Sequence, residues 1–270
     1  MSKKQKKGKP RGWLVAPAQI NTWLADAAVQ LAKGDYERVL TTCRRILSYI
    51  PAKAVQRVDA LRLLGNAHAM LKHFEESFQV LSEAVALAPN ESDLWYNRGL
   101  SARFTSRTAQ SLMDLERAVN LEGTGELAAR FNEEVAFARR IAESERAKRG
   151  PNVTQEQVAE QQELFQHALN VMAEGRWEEA EDELRRVIAM ADVLPQPWGN
   201  LGLTLIMQRR FDEAEAALRR ALEIDPKYAI ARSNLLDLGQ IRETGQLPQV
   251  AISHPFERAH VWQTIHLAKG

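Results

Sequence analysis

The chain has 270 residues, 45% hydrophobic and 26% charged, the proportions of an ordinary water-soluble chain with enough apolar residues for a sizeable core. It contains no run of about eighteen apolar residues that would span a membrane, and its lysine-rich start is not followed by the apolar stretch of a secretory signal. The formal net charge of +1 hides an uneven distribution: six cations and no acid precede residue 12, so the remainder carries 30 basic against 35 acidic residues, the reverse of what a nucleic-acid groove requires.

Residues 1–12 hold those cations, Lys3, Lys4, Lys6, Lys7, Lys9 and Arg11, among Gly and Pro without periodicity. They are predicted to be a disordered arm, either a solubilising tail or a basic contact for RNA, the ribosome or an acidic partner. Trp13, Leu14 and Val15 then form a small apolar patch expected to pack on the first helix pair, and residues 1–19 together make a lead-in. Residues 20–51 carry Trp23, Ala27, Val39, Cys43 and Ile46 at helical spacings, with Gly34-Asp35-Tyr36 as a turn and Pro51 as a stop. Cys43 is the only cysteine and falls on the apolar face, so it is expected in the core; a lone thiol also fits a reducing, cytoplasmic setting. The same pattern restarts at residue 58, four residues late, which lengthens either a helix or a loop. It then runs ALRLLGNAHAMLKHFEESFQVLSEAVALAP, with Leu61, Leu64, Gly65, Phe74, Leu81, Ala84 and Pro89 in register. A third copy has Trp95, Gly99, Leu115 and Ala118, but its turn is Thr105-Ser106-Arg107-Thr108 and Gly123 stands in the proline position.

Residues 126–148 are predicted to be one long helix with Leu127, Phe131, Val135, Ala138 and Ile141 on one face, capping the first array and then projecting into solvent. Gly150-Pro151-Asn152 breaks it. A second array starts near Thr154, with Leu164, Ala168, Val171, Gly175, Trp177, Ala180, Leu184 and Val187, and with Asp192 in the proline position. The clearest copy is residues 195–226, PQPWGNLGLTLIMQRRFDEAEAALRRALEIDP. Trp198, Leu201, Gly202 and Leu205 line one helix, and Ala214, Leu218 and Ala221 the next. Asp212 is the predicted N-cap, and Pro226 ends the helix at Asp225. Gly202, with Ala214 and Ala221, lets two backbones approach closely. Residues 228–241 supply a closing helix with Leu235, Leu236 and Leu238, and residues 246–270 leave the pattern.

This period of roughly 34 residues, W-x2-L-G-x2-Y, then A-x3-F, then P, resembles the tetratricopeptide repeat. The match is close at 195–226, nearly as close at 58–89, and looser elsewhere. The resemblance implies an all-α fold, an α-solenoid of tandem helix–turn–helix repeats in two arrays, 20–149 and 150–245, joined by a long helix. A single pair cannot bury its apolar face, so copies must stack.

The resemblance also implies a concave groove lined by the first helix of each pair, and a protein or peptide as its occupant. The groove positions carried over are Arg62 and Asn66, then Tyr96, Asn97 and Arg103, then Asn200 and Met207, and finally Asn234. Arg62, Asn66 and Asn97 resemble three members of the set with which some relatives clamp a C-terminal carboxylate. The two remaining slots hold Leu127 and Phe131, with Arg130 one residue off.

No enzyme pattern is present: there is no phosphate loop, His-Glu-x-x-His, nucleophile elbow or paired cysteines, and no cofactor or metal is implied. His254, His260 and His266 lie about 240° apart on a helix and do not converge. Glu178, Glu179, Glu181, Asp182 and Glu183 are read as a solvated first turn, and His68 and His167 as packed core residues. The expected function is a non-catalytic protein-interaction scaffold. The alternatives are an RNA- or ribosome-associated protein acting through the basic arm, and a regulatory repeat module of a longer protein.

Overall fold

The computed structural model describes residues 15–247. The basic arm, Trp13, Leu14 and the three C-terminal histidines lie outside the described residues. Twelve α-helices and no strand occur among the described residues: α1 (Pro17–Lys33), α2 (Tyr36–Tyr49), α3 (Gln56–Met70), α4 (Phe74–Leu87), α5 (Ser92–Phe104), α6 (Thr108–Glu122), α7 (Ala128–Arg149), α8 (Gln155–Ala173), α9 (Trp177–Met190), α10 (Pro195–Met207), α11 (Phe211–Ile224) and α12 (Ala229–Thr244). Contacts divide the chain into two compact units, Met1–Arg139 and Arg140–Gly270. In each, helices pair into antiparallel hairpins, and the second helix of one hairpin packs on the first helix of the next.

One backbone turn joins the two helices of every hairpin, whatever its sequence. A residue with positive φ follows the first helix: Gly34 at 81°, Lys72 at 64°, Ser106 at 63°, Gly175 at 73° and Arg209 at 62°. The next residue donates its N–H five residues back, from Asp35 to Gln30, His73 to His68, Arg107 to Ala102, Arg176 to Val171 and Arg210 to Leu205. This satisfies carbonyls that a helix end otherwise leaves open. Thr105-Ser106-Arg107 therefore makes the same turn as Gly34-Asp35 despite its different residues. The shared geometry also corrects the expected cap of α11. Arg210 is the N-cap residue, and Asp212, two residues further in, instead accepts from Arg242 at 2.7 Å. Asp35 alone among these five N-cap residues uses its side chain, accepting from the Arg38 N–H.

Within a hairpin the two backbones meet at glycine. A β-carbon placed on Gly65 would lie 2.6 Å from Leu81 Cγ, on Gly99 2.9 Å from Leu115 Cγ, and on Gly202 2.5 Å from Leu218 Cγ. All three leucines are fully buried. Cys43 is buried as expected, and desolvation pushes its thiol up to about 12. The extra residues before the second repeat are shared between the loop, residues 50–55, and the start of α3, which begins two residues ahead of the register of α5 and α10; in the loop Ile50 is buried and Val55 is 79% exposed. In α7 the buried face is Phe131, Val135, Ala138 and Ala142, while Leu127 is exposed ahead of the helix and Ile141 is half-buried. The end of α7 does not project into solvent: the Arg149 side chain is 3% exposed, its Nε donates to Gln161 Oε1 at 2.6 Å, and Gln161 Nε2 donates to the Val187 carbonyl. Gly150, at φ 118°, then breaks the helix, and Thr154 starts α8 with a reciprocal capping box to Gln157.

Candidate functional site

In the first unit the groove residues lie on α3 and α5. Arg62 and Asn66 are four apart and share one face of α3. The Arg62 guanidinium is already taken by three carboxylates, Asp59 at 2.9 Å, Asp93 at 2.9 Å and Glu91 at 3.1 Å. Beside it opens a cavity of about 380 Å³ lined by the 50–55 loop, the start of α3 and the end of α4. Asn66 on α3 and Asn97 on α5 are half-buried, and neither side-chain amide is engaged by another described residue.

Tyr96 does not offer its ring to the surface. It is 4% exposed and stacks on Phe131 of α7 with centroids 4.3 Å apart, and its hydroxyl accepts from Arg130 Nε at 2.9 Å. Burial pushes its phenol up against the opposing pull of Arg130. Arg103 reaches Glu134 at 2.6 Å and lies over the rings of Phe104 and Phe137. These two residues therefore fasten α7 to α5.

In the second unit Asn200 is 7% exposed and turns inward, donating to the Gln196 carbonyl at 3.1 Å. Met207 is half-buried at the end of α10. Asn234 on α12 is half-buried with its Nδ2 unpartnered. Tyr228, before α12, packs against Gly199, where a β-carbon would lie 2.7 Å from the ring; burial pushes its phenol up to about 12.

Several polar residues matter more than their sequence pattern suggests. Arg98 and Asp114 form a two-point ion pair inside the α5–α6 hairpin, with Asp114 Oδ2 2.6 Å from Arg98 Nε and the carboxylate side chain 1% exposed. Burial pushes Asp114 up while Arg98 and Gln110 pull it down, and desolvation prevails. Arg107 is buried and pairs with Glu75 at 2.6 Å across repeats. Glu181 is not part of a solvated face: it is buried and receives Arg185, Gln208 and Arg210, so it ties α9 to the α10–α11 turn. Desolvation raises its carboxyl, but those bonds together outweigh it and hold the carboxyl below the ordinary value. His68 is buried as expected, whereas His167 is exposed on α8, 3.9 Å from Glu183. Among the described residues no cluster of His, Cys, Asp and Glu is placed to hold a metal, and no helix is long and apolar enough to cross a membrane.

Each unit is thus built of helix hairpins, and the polar groove residues lie on α3 and α5 in the first and on α10 and α12 in the second. The family model of the tetratricopeptide repeat matches residues 195–228, the α10–α11 hairpin and the loop after it. Its glycine contact and positive-φ turn recur in α3–α4 and α5–α6, so the hairpin that the family model matches is repeated along the chain. The tetratricopeptide-repeat domain of Sgt2 from Aspergillus fumigatus aligns at 19% identity over 54% of this chain and 93% of its own, with a TM-score of 0.44. The TPR2AB domain of yeast Sti1, solved in complex with pHSP90, aligns at 13% identity over 84% and 86%, with a TM-score of 0.40. No curated protein matches the sequence.

Proposed function

We propose that this chain is a non-catalytic interaction protein that holds an extended or helical segment of a partner protein against the first helices of its hairpins. The observation that carries this reading is the pair of half-buried, unengaged amides of Asn66 and Asn97 on the neighbouring helices α3 and α5. A carboxamide offers two donors and an acceptor, which suits a peptide backbone, and these two are open to an incoming chain. The three carboxylates on Arg62 argue against an anionic chain end at that point, because a fourth would have to displace one of them. Asn234 in the second unit supplies a further unpaired donor.

The test is comparative affinity capture. Partners retained by the native chain are expected to be lost with Asn66→Ala and Asn97→Ala combined, while circular dichroism stays helical. An unchanged set of partners removes the groove reading.

A further inference from the structure

We propose that the N-terminal arm of this same chain, residues 1–14, docks over the cavity at the start of α3, with Trp13 and Leu14 against Val55 and Leu87 and the lysines against Asp59, Glu91 and Asp93. This inference stands apart from the partner reading, since Asn66 and Asn97 can bind a peptide whether or not the arm is seated.

The surface is built for an occupant that is apolar at one end and cationic at the other. Ala52, Ala54, Val58 and Ala88 line the cavity of about 380 Å³, and Val55 and Leu87 stand at its edge, 79% and 44% exposed. Covering these two exposed branched side chains, beside a hollow that Lys53, Asp59, Arg62 and Glu91 also line, would remove apolar surface from water. The rim is acidic. Asp59, Glu91 and Asp93 surround one guanidinium, and Lys53 is the second base nearby, so three carboxylates face two cations. The Asp59 and Glu91 side chains are 57% and 54% exposed and open to a further cation.

The arm matches that surface and is tethered beside it. It reads KKQKKGKPRGWL from Lys3, six cations and no acid followed by two apolar residues, in the order in which the rim and the hollow would meet it. Val15, the first described residue, packs on the cluster of Ile20, Ile46, Ile50 and Ala60 that Ala54 also joins, and Ala54 lines the cavity. Gln56 Nε2 donates to Asn21 Oδ1 at 3.2 Å, which ties the start of α3 to α1. Fourteen residues extend to roughly 45 Å, more than this span needs, and a short tether keeps the local concentration of cations in about the millimolar range. The late restart of the repeat falls here, in the loop that carries Val55 and in the start of α3.

Zero-length carbodiimide coupling of the full chain, with tryptic mapping on a mixture of light and heavy isotope-labelled protein, tests the arrangement. The expected links join Lys3, Lys4, Lys6, Lys7 or Lys9 to Asp59, Glu91 or Asp93 within one chain, and fade near 1 M salt, where the screening length falls to about 3 Å. Amide exchange over residues 52–62 is expected to quicken at least fivefold when residues 1–14 are removed, and also in a full-length chain with the five lysines changed to glutamine. Three results overturn the proposal: links scattered over unrelated acids of the body, links found only in mixed-mass pairs, which assign the arm to a second copy, or exchange rates that neither variant alters. Protection of the arm lysines from acetylation only when RNA is added also overturns it, in favour of a nucleic-acid contact.

Discussion

The α5–α6 and α10–α11 hairpins share a backbone and differ in what fills it. Trp95 and Trp198 occupy one position, and each donates its indole N–H to the loop before its helix, to the Pro89 carbonyl and to Asp192. Gly99 and Gly202 meet Leu115 and Leu218, and Ser106 and Arg209 turn the chain at φ 63° and 62°. Where α10–α11 packs Leu201, Ala214 and Ala217, however, α5–α6 buries Arg98, Ser111 and Asp114. The hairpin is thus specified by a small residue at the crossing and by the turn. The side chains around the crossing are interchangeable in kind, provided that each polar one finds a partner.

The largest expected effect comes from breaking that provision. Arg98→Leu leaves the Asp114 carboxylate buried without its cation and should cost about 3–5 kcal/mol, read from urea unfolding. Arg98→Leu with Asp114→Ala installs the residues of the other hairpin and should return stability to within about 1–2 kcal/mol of the native chain. If the double variant is as unstable as the single one, the two hairpins are not equivalent frames.

A smaller effect sharpens the geometric half of the comparison. Gly202→Ala sets a β-carbon 2.5 Å from Leu218 Cγ, with the Ala214 carbonyl closing the other side at 3.3 Å, whereas at Gly99 the nearest atom is at 2.9 Å. Both should destabilise by about 1–3 kcal/mol, as overpacking does, with Gly202→Ala the more severe. Equal or negligible shifts in the unfolding midpoint would mean that the helices separate at little cost.

The sequence disclosed what repeats and concealed what departs from the repeat. Trp198, Gly202, Leu218 and Pro226 recur at fixed offsets, so the hairpins, their order and the glycine contacts were legible from period alone. The Arg98–Asp114 pair was written in the same register, at the offsets of Leu201 and Ala217, but charged residues on a helix usually read as a solvated face. Glu181 reads as a solvated acid for the same reason, since the acids beside it in sequence are exposed or half-buried. Tyr96 and Asn200 were placed by the family's groove positions, yet an aromatic on α7 covers the first and an intrahelical bond turns the second inward, neither of which a single repeat's pattern encodes. Position in the repeat says which way a side chain starts, and its neighbours decide where it ends.

Histidine at a shared position gives a third test. His68 stands where the other hairpins have Ala102 and Leu205, and all three are buried. Desolvation lowers its pKa from 6.5, against the opposing pull of Glu76, with smaller effects of Arg44, His73 and Glu37. A histidine whose folded value lies below its unfolded value binds fewer protons when folded, so its contribution is intact above about 6.5 and is lost as the pH falls toward the lowered value. The melting temperature of the native chain should therefore drop more between pH 7 and pH 5 than that of His68→Leu. Parallel pH profiles would show that the ring takes up its proton without cost.

The turn itself supplies the smallest effect. Lys72, Ser106 and Arg209 sit in the left-handed region that Gly34 and Gly175 occupy freely. An L-residue there carries a steric penalty, and glycine relieves it while losing more freedom on folding, so the net gain from substitution is up to about 1 kcal/mol. Ser106→Gly should raise the melting temperature slightly. Arg209→Gly should gain less, because the guanidinium also donates to the Gly245 carbonyl at 3.4 Å and that contact disappears. A fall in stability for Ser106→Gly would show that the serine holds its backbone by something other than the turn, and the equivalence of the two hairpins would then fail at the residue where their φ angles agree most closely.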